Sequence, residues 1–288
     1  FTHGNRTGIL AHRPAPVQVN YLGFPGTMGA DYVDYILADA TVVPPEHHPH
    51  YAEKVVTLPD TYQANDRKRA VAATAPSRAE AGLPERGFVF CCFNKNYKIM
   101  PATFAVWMRL LRQVEGSVLW LLHANETASA NLRREAERHG IAPARLVFAP
   151  RVRPDEHLAR HALADLFLDT LPYNAHTTAS DALWAGLPLV TCLGEAFPGR
   201  VAASLLRAAG LPELVTHSPA EYEALALRLA GDSAMLAGLR ARLVAGRATS
   251  ALFDTDRMCR HLEAAYVTMS QRQQRGEAPA AFAVPPLS

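Results

Sequence analysis

The stretch DLFLDTLPYNAHTTASDALWAGLPLV, residues 165–190, decides how this chain folds. Its apolar run, Leu166–Leu168, is typical of a buried parallel strand. After a polar loop, Thr177 predicts a helix start, because a threonine at the cap can bond a free amide of the first turn. Gly186 ends that helix, Pro188 prevents its continuation, and a second apolar run follows. The stretch therefore predicts a strand–helix–strand unit.

The loop of this unit lies at the carboxyl edge of the predicted sheet. A helix that starts there presents unpaired N–H groups and the positive end of its dipole to whatever lies outside. In open α/β sheets, ligands bind at this edge. The sequence therefore predicts a phosphate-binding site at the start of the Thr177 helix.

Alternating strands and helices extend the unit in both directions. Further strands are predicted at residues 88–93, 117–122, 145–148 and 190–192. Such repeats require a doubly wound parallel sheet with helices on both faces, an α/β Rossmann-like domain. Upstream, short strands at 17–22, 35–38 and 53–58 predict the tail of a second α/β lobe.

We expect three parts in the chain. Residues 1–78 end an N-terminal lobe, and the polar, alanine-rich segment 63–84 links it to the next part. Residues 79–252 form the Rossmann-like domain. Residues 253–288 are predicted to be a long helix with one apolar stripe, followed by a tail that frays because it is rich in proline and alanine.

Composition excludes several classes of protein. The 288 residues carry 29 basic and 27 acidic side chains, so the net charge of +2 gives no overall attraction to nucleic acid or membrane. No apolar run approaches the roughly 20 residues that cross a bilayer. The four cysteines are Cys91, Cys92, Cys192 and Cys259. Because the adjacent pair, Cys91 and Cys92, points to opposite strand faces, we predict free thiols in a reducing cytoplasm.

Two histidine patterns resemble metal-binding motifs, but neither provides a full set of ligands. The prolines of PPEHHPH, residues 44–50, spoil regular ligand geometry, so a surface loop is predicted. His157 and His161 are spaced like a metal pair, but no third ligand accompanies them. We predict no metal and no cofactor.

The longest motif is also the most specific. HTTASDALWAGLPLVT, with LDTLPYNA before it and GEAFPGRVAASLL after it, resembles the donor-binding signature of the O-GlcNAc transferases and their SPINDLY-type relatives. Three further blocks resemble the family in the same order: RPAPVQVNYLGFPGTMGADYVDYILAD, FCCFNKNYKIMPATFAVWMRLLRQVEGSVLWLL and the EH of RPDEHLAR. The likeness covers most of residues 6–266.

The resemblance implies a GT-B-like fold and an inverting, metal-independent transfer of N-acetylglucosamine from UDP-GlcNAc to Ser or Thr hydroxyls of proteins. It also implies that residues 1–78 belong to the acceptor-side lobe, that residues 79–252 bind the nucleotide sugar, and that the helix of residues 253–288 returns to the first lobe. Two alternatives stay open. One is a SPINDLY-type O-fucosyltransferase that uses GDP-fucose. The other is a relative that binds nucleotide sugars, has lost catalysis and acts as a scaffold.

The resemblance also implies the site residues. Lys98, in the YK motif, would be the cation that stabilises the departing diphosphate, and His176 would contact the diphosphate or the sugar. Thr177 and Thr178 would bind the pyrophosphate, and Asp181 the ribose. The remaining donor-binding candidates are the sugar loop, a phosphate-side lysine and two groups beside the base: Leu22, Gly23, Pro25, Lys95, His157 and Arg160.

Two positions depart from the family pattern, and one part of it is missing. Lys95 stands where animal members have glutamine, and Pro154 where they have lysine, so one positive charge is relocated. The family's general base lies in an upstream motif that these residues do not contain, and His3 and His12 are poor substitutes. We therefore expect the chain to be the carboxyl part of a larger enzyme. The tetratricopeptide repeats that are common in the family are expected upstream, and no 34-residue repeat occurs in this sequence.

Overall fold

Two parallel β-sheets organise the protein, and the computed structural model describes residues 4–286. His3 lies outside the described residues. The smaller sheet has the order β1-β2-β3-β10, with β1 (Val19–Asn20), β2 (Tyr35–Asp39), β3 (Lys54–Leu58) and β10 (Phe282–Ala283). The larger sheet has the order β6-β5-β4-β7-β8-β9. Its strands are β4 (Val89–Cys92), β5 (Val118–Leu122), β6 (Leu146–Ala149), β7 (Leu166–Leu168), β8 (Leu189–Cys192) and β9 (Val215–Thr216).

The strands of the larger sheet are mostly apolar because helices cover both faces. Phe90, Phe167 and Leu189, on three different strands, are fully buried. The helices are α1 (Pro101–Gln113), α2 (Glu126–Arg138), α3 (Pro154–Arg160), α4 (Thr177–Trp184), α5 (Val201–Ala208), α6 (Pro219–Gly231), α7 (Ser233–Gly246) and α8 (Thr255–Gln274). No helix within residues 4–286 combines the length and the apolar character that crossing a membrane demands.

A buried carboxylate joins the first lobe to α5. Asp39, at the end of β2, accepts hydrogen bonds from the Tyr62 amide at 2.8 Å and from the Ser204 hydroxyl at 2.6 Å. A buried carboxylate is tolerated only when donors surround it, so this pair fixes the two lobes against each other. Helix α8 adds a second tie, since Arg257 Nε lies 2.6 Å from Asp60 Oδ2.

The end of the chain differs from the expectation of a fraying tail. β10 pairs in parallel with β3, and the Val284 amide donates to the Thr57 carbonyl at 2.9 Å. The Phe282 ring packs edge-on against Tyr35 at 6.3 Å, and Val284 is buried. Two apolar side chains therefore fix a segment whose composition alone predicts disorder. The domain boundaries at residues 78 and 252 stay a prediction.

Candidate active site

Two cavities meet at His176 and Thr177. The inter-lobe cavity, about 380 Å³, is bounded by the first-lobe loop around Leu22, the start of the linker, Tyr173 and Phe197. The sheet-edge cavity, about 420 Å³, lies at the carboxyl ends of β4, β5 and β6. Their shared residues form the amino end of α4, so both cavities open onto the predicted phosphate site.

The structure brings together all but one of the predicted site residues. The inter-lobe cavity is lined by three of them: Leu22, Gly23 and Pro25. The sheet-edge cavity is lined by five: Lys95, Lys98, His157, Arg160 and Thr178. His176 and Thr177 line both. Asp181 lines neither.

Lys98 reaches the site from the turn that follows β4. Its Nζ donates to the Asn174 carbonyl at 2.7 Å and lies 4.0 Å from the centroid of the Tyr173 ring. Burial lowers the pKa of Lys98 to about 8, although Asp169 opposes the shift. A lysine with this pKa is still charged at neutral pH, so Lys98 presents a cation to the cavity.

The start of α4 is open, and the predicted threonine cap is wrong. His176 is the N-cap residue, and no side chain caps the helix. The Thr178 hydroxyl donates instead to Asn94 Oδ1, which draws it toward β4. The first amides of α4, from Thr177 and Thr178, are therefore available to an anion, and the dipole of the helix adds to the attraction.

Asp169 fixes both ends of the loop between β7 and α4. Its Oδ1 accepts from the amides of Thr170 at 2.7 Å and Ala175 at 2.6 Å, and its Oδ2 accepts from the Thr191 hydroxyl at 2.6 Å. Burial raises the pKa of Asp169 to about 7, against the effect of these donors. Asn174 closes the loop further, because its Nδ2 donates to the Thr170 carbonyl at 2.9 Å.

His176 is held in a neutral state. Its Nε2 lies 3.2 Å from the Pro198 carbonyl and donates to it, and its ring stacks on Tyr173 at 4.9 Å. Burial and the nearby Lys98 lower the pKa of His176 to about 4. Gly199 permits this close packing of loops, since a Cβ there would lie 2.7 Å from the Pro172 carbonyl oxygen.

His157 and Arg160 form an aromatic and cationic wall with Phe93. The His157 ring lies 5.3 Å from the Phe93 ring, and the Arg160 guanidinium lies 4.7 Å from it. Arg160 also donates to His157 Nδ1, and burial lowers the pKa of His157 to about 4. His161 donates to the His157 carbonyl at 2.7 Å. Across residues 4–286, no cluster of three or more His, Cys, Asp or Glu side chains could hold a metal ion.

Asp181 lines neither cavity, and a linker residue binds it. Arg69 pairs with its carboxylate and donates to the Ser180 hydroxyl at 3.2 Å. The two charged side chains are mostly buried, with 20% and 17% of their surfaces exposed. Arg69 itself lines the inter-lobe cavity.

Sequence reasoning missed five residues that build the site: Arg69, Asn94, Asp169, Tyr173 and Asn174. Four of them follow strands β4 or β7, where polar side chains of a parallel sheet converge, so this edge was the signal. Arg69 gave no signal, since it stands in a linker without periodicity.

The comparisons with known proteins show the family of the chain. The model of glycosyl transferase family 41 matches residues 1–75 and 69–262. A probable UDP-N-acetylglucosamine–peptide N-acetylglucosaminyltransferase of Arabidopsis thaliana, SEC, is 40% identical over 99% of this chain and 30% of its own length. The corresponding Caenorhabditis elegans transferase is 29% identical over 96% of this chain and 34% of its own length. The chain thus spans about a third of these relatives.

A solved structure shows the same architecture. A mutant O-GlcNAc transferase of Thermobaculum terrenum superposes with a TM-score of 0.85 and 34% identity, covering 93% of this chain and 51% of that one. Sucrose-phosphate synthase of Thermosynechococcus elongatus, at 16% identity and a TM-score of 0.59, covers 83% of this chain and 59% of its own, and shares the fold alone. The chain therefore has a GT-B-type α/β fold and belongs to glycosyl transferase family 41.

Proposed function

We propose that this chain is the donor-binding part of an enzyme that transfers N-acetylglucosamine from UDP-GlcNAc to Ser or Thr hydroxyls of proteins. The transfer inverts the anomeric centre and uses no metal. One observation carries the proposal: the Lys98 ammonium and the open amino end of α4 face the same cavity. The names of the relatives from Arabidopsis and Caenorhabditis support the donor and the peptide acceptor.

The chemistry needs positive groups at this place. The acceptor oxygen attacks the anomeric carbon from the face opposite the diphosphate and gives its proton to a general base. The bond between that carbon and the phosphate oxygen breaks, and UDP leaves with the electron pair. Lys98 and the amides of Thr177 and Thr178 stabilise the charge that grows on the diphosphate, the role that a divalent cation has in metal-dependent enzymes.

The part of the sheet-edge cavity that Phe93, His157 and Arg160 line suits the nucleobase of the donor. Phe93 and His157 present ring faces and edges, and Arg160 is held by the Pro150 carbonyl at 2.7 Å. Because burial keeps His157 neutral, its ring packs on an uncharged base without the cost of a buried cation. The buried thiols of Cys91, Cys92 and Cys192 support a reducing compartment such as the cytoplasm.

Calorimetry tests the donor. We expect the full-length protein to bind UDP and UDP-GlcNAc more tightly than GDP and GDP-fucose. A preference for the guanosine nucleotides would replace our proposal with an O-fucosyltransferase.

A transfer assay tests catalysis. Lys98→Met removes the cation, and we expect a loss of about 100- to 1,000-fold in kcat. Lys54→Met is the matched control, because Lys54 is exposed on β3 and lines neither cavity. Equal rates for the parent and Lys98→Met would contradict the mechanism. Loss of activity with a chelator, restored by a divalent metal, would contradict metal independence, and retention of the anomeric configuration in the product would contradict inversion.

A further inference from the structure

Tyr173 stands between the two cavities. Its ring lines the inter-lobe cavity, while Lys98, which lines the sheet-edge cavity, places its Nζ 4.0 Å from the ring centroid. The His176 imidazole stacks on the same ring at 4.9 Å, with 23° between the planes. An aromatic face attracts an ammonium at such a distance through its negative potential. One side chain therefore contacts both predicted catalytic residues.

We propose that Tyr173 is a positioning residue, whose ring holds the Lys98 ammonium and the His176 imidazole where the diphosphate of the donor meets α4. The inference rests on the proposed function and extends it to a residue outside the predicted set. Because the ring also forms the wall of the inter-lobe cavity, a sugar bound there contacts the group that holds the lysine.

The surroundings of Lys98 show why the ring matters. Within residues 4–286 the ammonium donates one hydrogen bond, to Asn174 O, although it carries three N–H groups. The charged and titratable groups that face it are Asp169 after β7, Cys92 on β4, Lys95 in its own turn and His176 at the N-cap of α4. The charge of Asp169 favours the charged amine from a distance, because its carboxylate accepts from three other donors. The thiol and the imidazole are neutral at pH 7. Besides the Asn174 carbonyl, the Tyr173 face is therefore the direct contact that favours the charged amine.

The pH dependence of UDP affinity tests this role, with UDP as the probe and the full-length protein titrated from pH 6.5 to 9.5. UDP binds more tightly while Lys98 is charged, so affinity falls on the alkaline side with a midpoint that reports the lysine. We expect Tyr173→Phe to keep this midpoint, because it retains the ring. Tyr173→Leu should lower it by about 0.5 to 1 pH unit. Tyr266→Leu, a ring removed from the exposed face of α8, is the matched control and should not move it.

Fluorinated phenylalanines at position 173 give a second measurement that does not depend on the leucine variant folding. One, two and three fluorine atoms weaken the negative face stepwise at nearly constant shape, and the midpoint should fall with each step. An unchanged midpoint across this series would overturn the role of Tyr173. The proposed function fails separately, if the parent does not bind UDP or if Lys98→Met keeps the alkaline fall.

Discussion

The two walls of the cleft are built differently. On the second lobe, the loop of residues 169–176 is fixed by buried hydrogen bonds, which Asp169 accepts at both ends of the loop and Asn174 donates within it. On the first lobe, the loop of residues 21–29 is bonded near its end, at Met28, and exposed near its start, at Leu22. Glu53 accepts from the Met28 amide at 2.6 Å, but Leu22 is 46% exposed.

This contrast matches what each wall meets in the proposed reaction. Charge develops on the diphosphate, and donors stabilise it best when they need no rearrangement at that moment. The rigid loop leads into α4 and accepts from Lys98 through the Asn174 carbonyl, so it holds those donors in place. In that reaction the first-lobe loop faces the sugar, where shape decides the fit, and its exposed start can adapt to the ligand. Leu22 even has a φ of +57°, a conformation that costs a leucine about 1 kcal/mol.

Removing the Asp169 carboxylate from the second-lobe loop should have the largest effect on stability. Asp169→Ala leaves the amides of Thr170 and Ala175 and the Thr191 hydroxyl without their acceptor in a fully buried place. We expect the free energy of unfolding to fall by about 3 kcal/mol, measured by urea denaturation.

Glu53→Ala is the matched change on the other wall. The Thr27 and Met28 donors that it releases are only half-buried and can reach water, so we expect a loss of about 1 kcal/mol. A loss at Glu53 equal to that at Asp169 would contradict the contrast between the walls.

The pair of Arg69 and Asp181 sharpens the comparison, because it connects the linker to α4. A double-mutant cycle with Arg69→Met and Asp181→Asn should give a coupling of about 1 kcal/mol, since both side chains are mostly buried. Arg67 and Asp256 form the control pair. They are 48% and 61% exposed, and we expect a coupling near zero. Equal couplings would show that burial does not strengthen the linker pair.

The first-lobe loop should tolerate a change at Leu22, near its exposed start. Leu22→Gly removes the strain of the positive φ but gains freedom in the unfolded chain, so the free energy of unfolding should change by less than about 0.5 kcal/mol. The KM for UDP-GlcNAc should rise about threefold with the lost side-chain contact, while the affinity for UDP stays constant. A parallel loss for UDP and UDP-GlcNAc would place Leu22 on the nucleotide rather than on the sugar.

The sequence predicted the parallel sheet and the proximity of Lys98 to Thr177, because both depend on local patterns. Buried strands such as Leu166–Leu168 are continuous apolar runs, and Gly186 and Pro188 mark where α4 ends. The carboxyl edge follows from connectivity alone, so Lys98 and Thr177 were expected near each other before their contacts were known.

What the sequence did not predict depends on contacts between distant residues. Thr177 was predicted to cap α4, but it is the first helical residue, and the hydroxyl of the neighbouring Thr178 donates a hydrogen bond to Asn94, 84 positions away. The linker arginine that pairs with Asp181, 112 positions away, was not predicted either. The assignment of Asp181 to the ribose stays a prediction. The tail is ordered by strand pairing with β3, which neither its prolines nor its alanines reveal. Such partners are fixed only when the fold brings them together.

The smallest expected effect is a proton that accompanies the ligand. At pH 8 the Lys98 amine, whose pKa burial lowers to about 8, is about half-charged in the free protein. A bound diphosphate favours the charged form and raises that pKa, so UDP binding should take up about half a proton. His176 takes up none, because its pKa of about 4 keeps it neutral throughout.

Calorimetry in buffers of different ionisation enthalpy measures this uptake, and Lys98→Met should abolish it. If the uptake persisted in Lys98→Met, another group would carry the proton. The rigid wall would then contribute hydrogen bonds to the diphosphate without the charge that the mechanism requires.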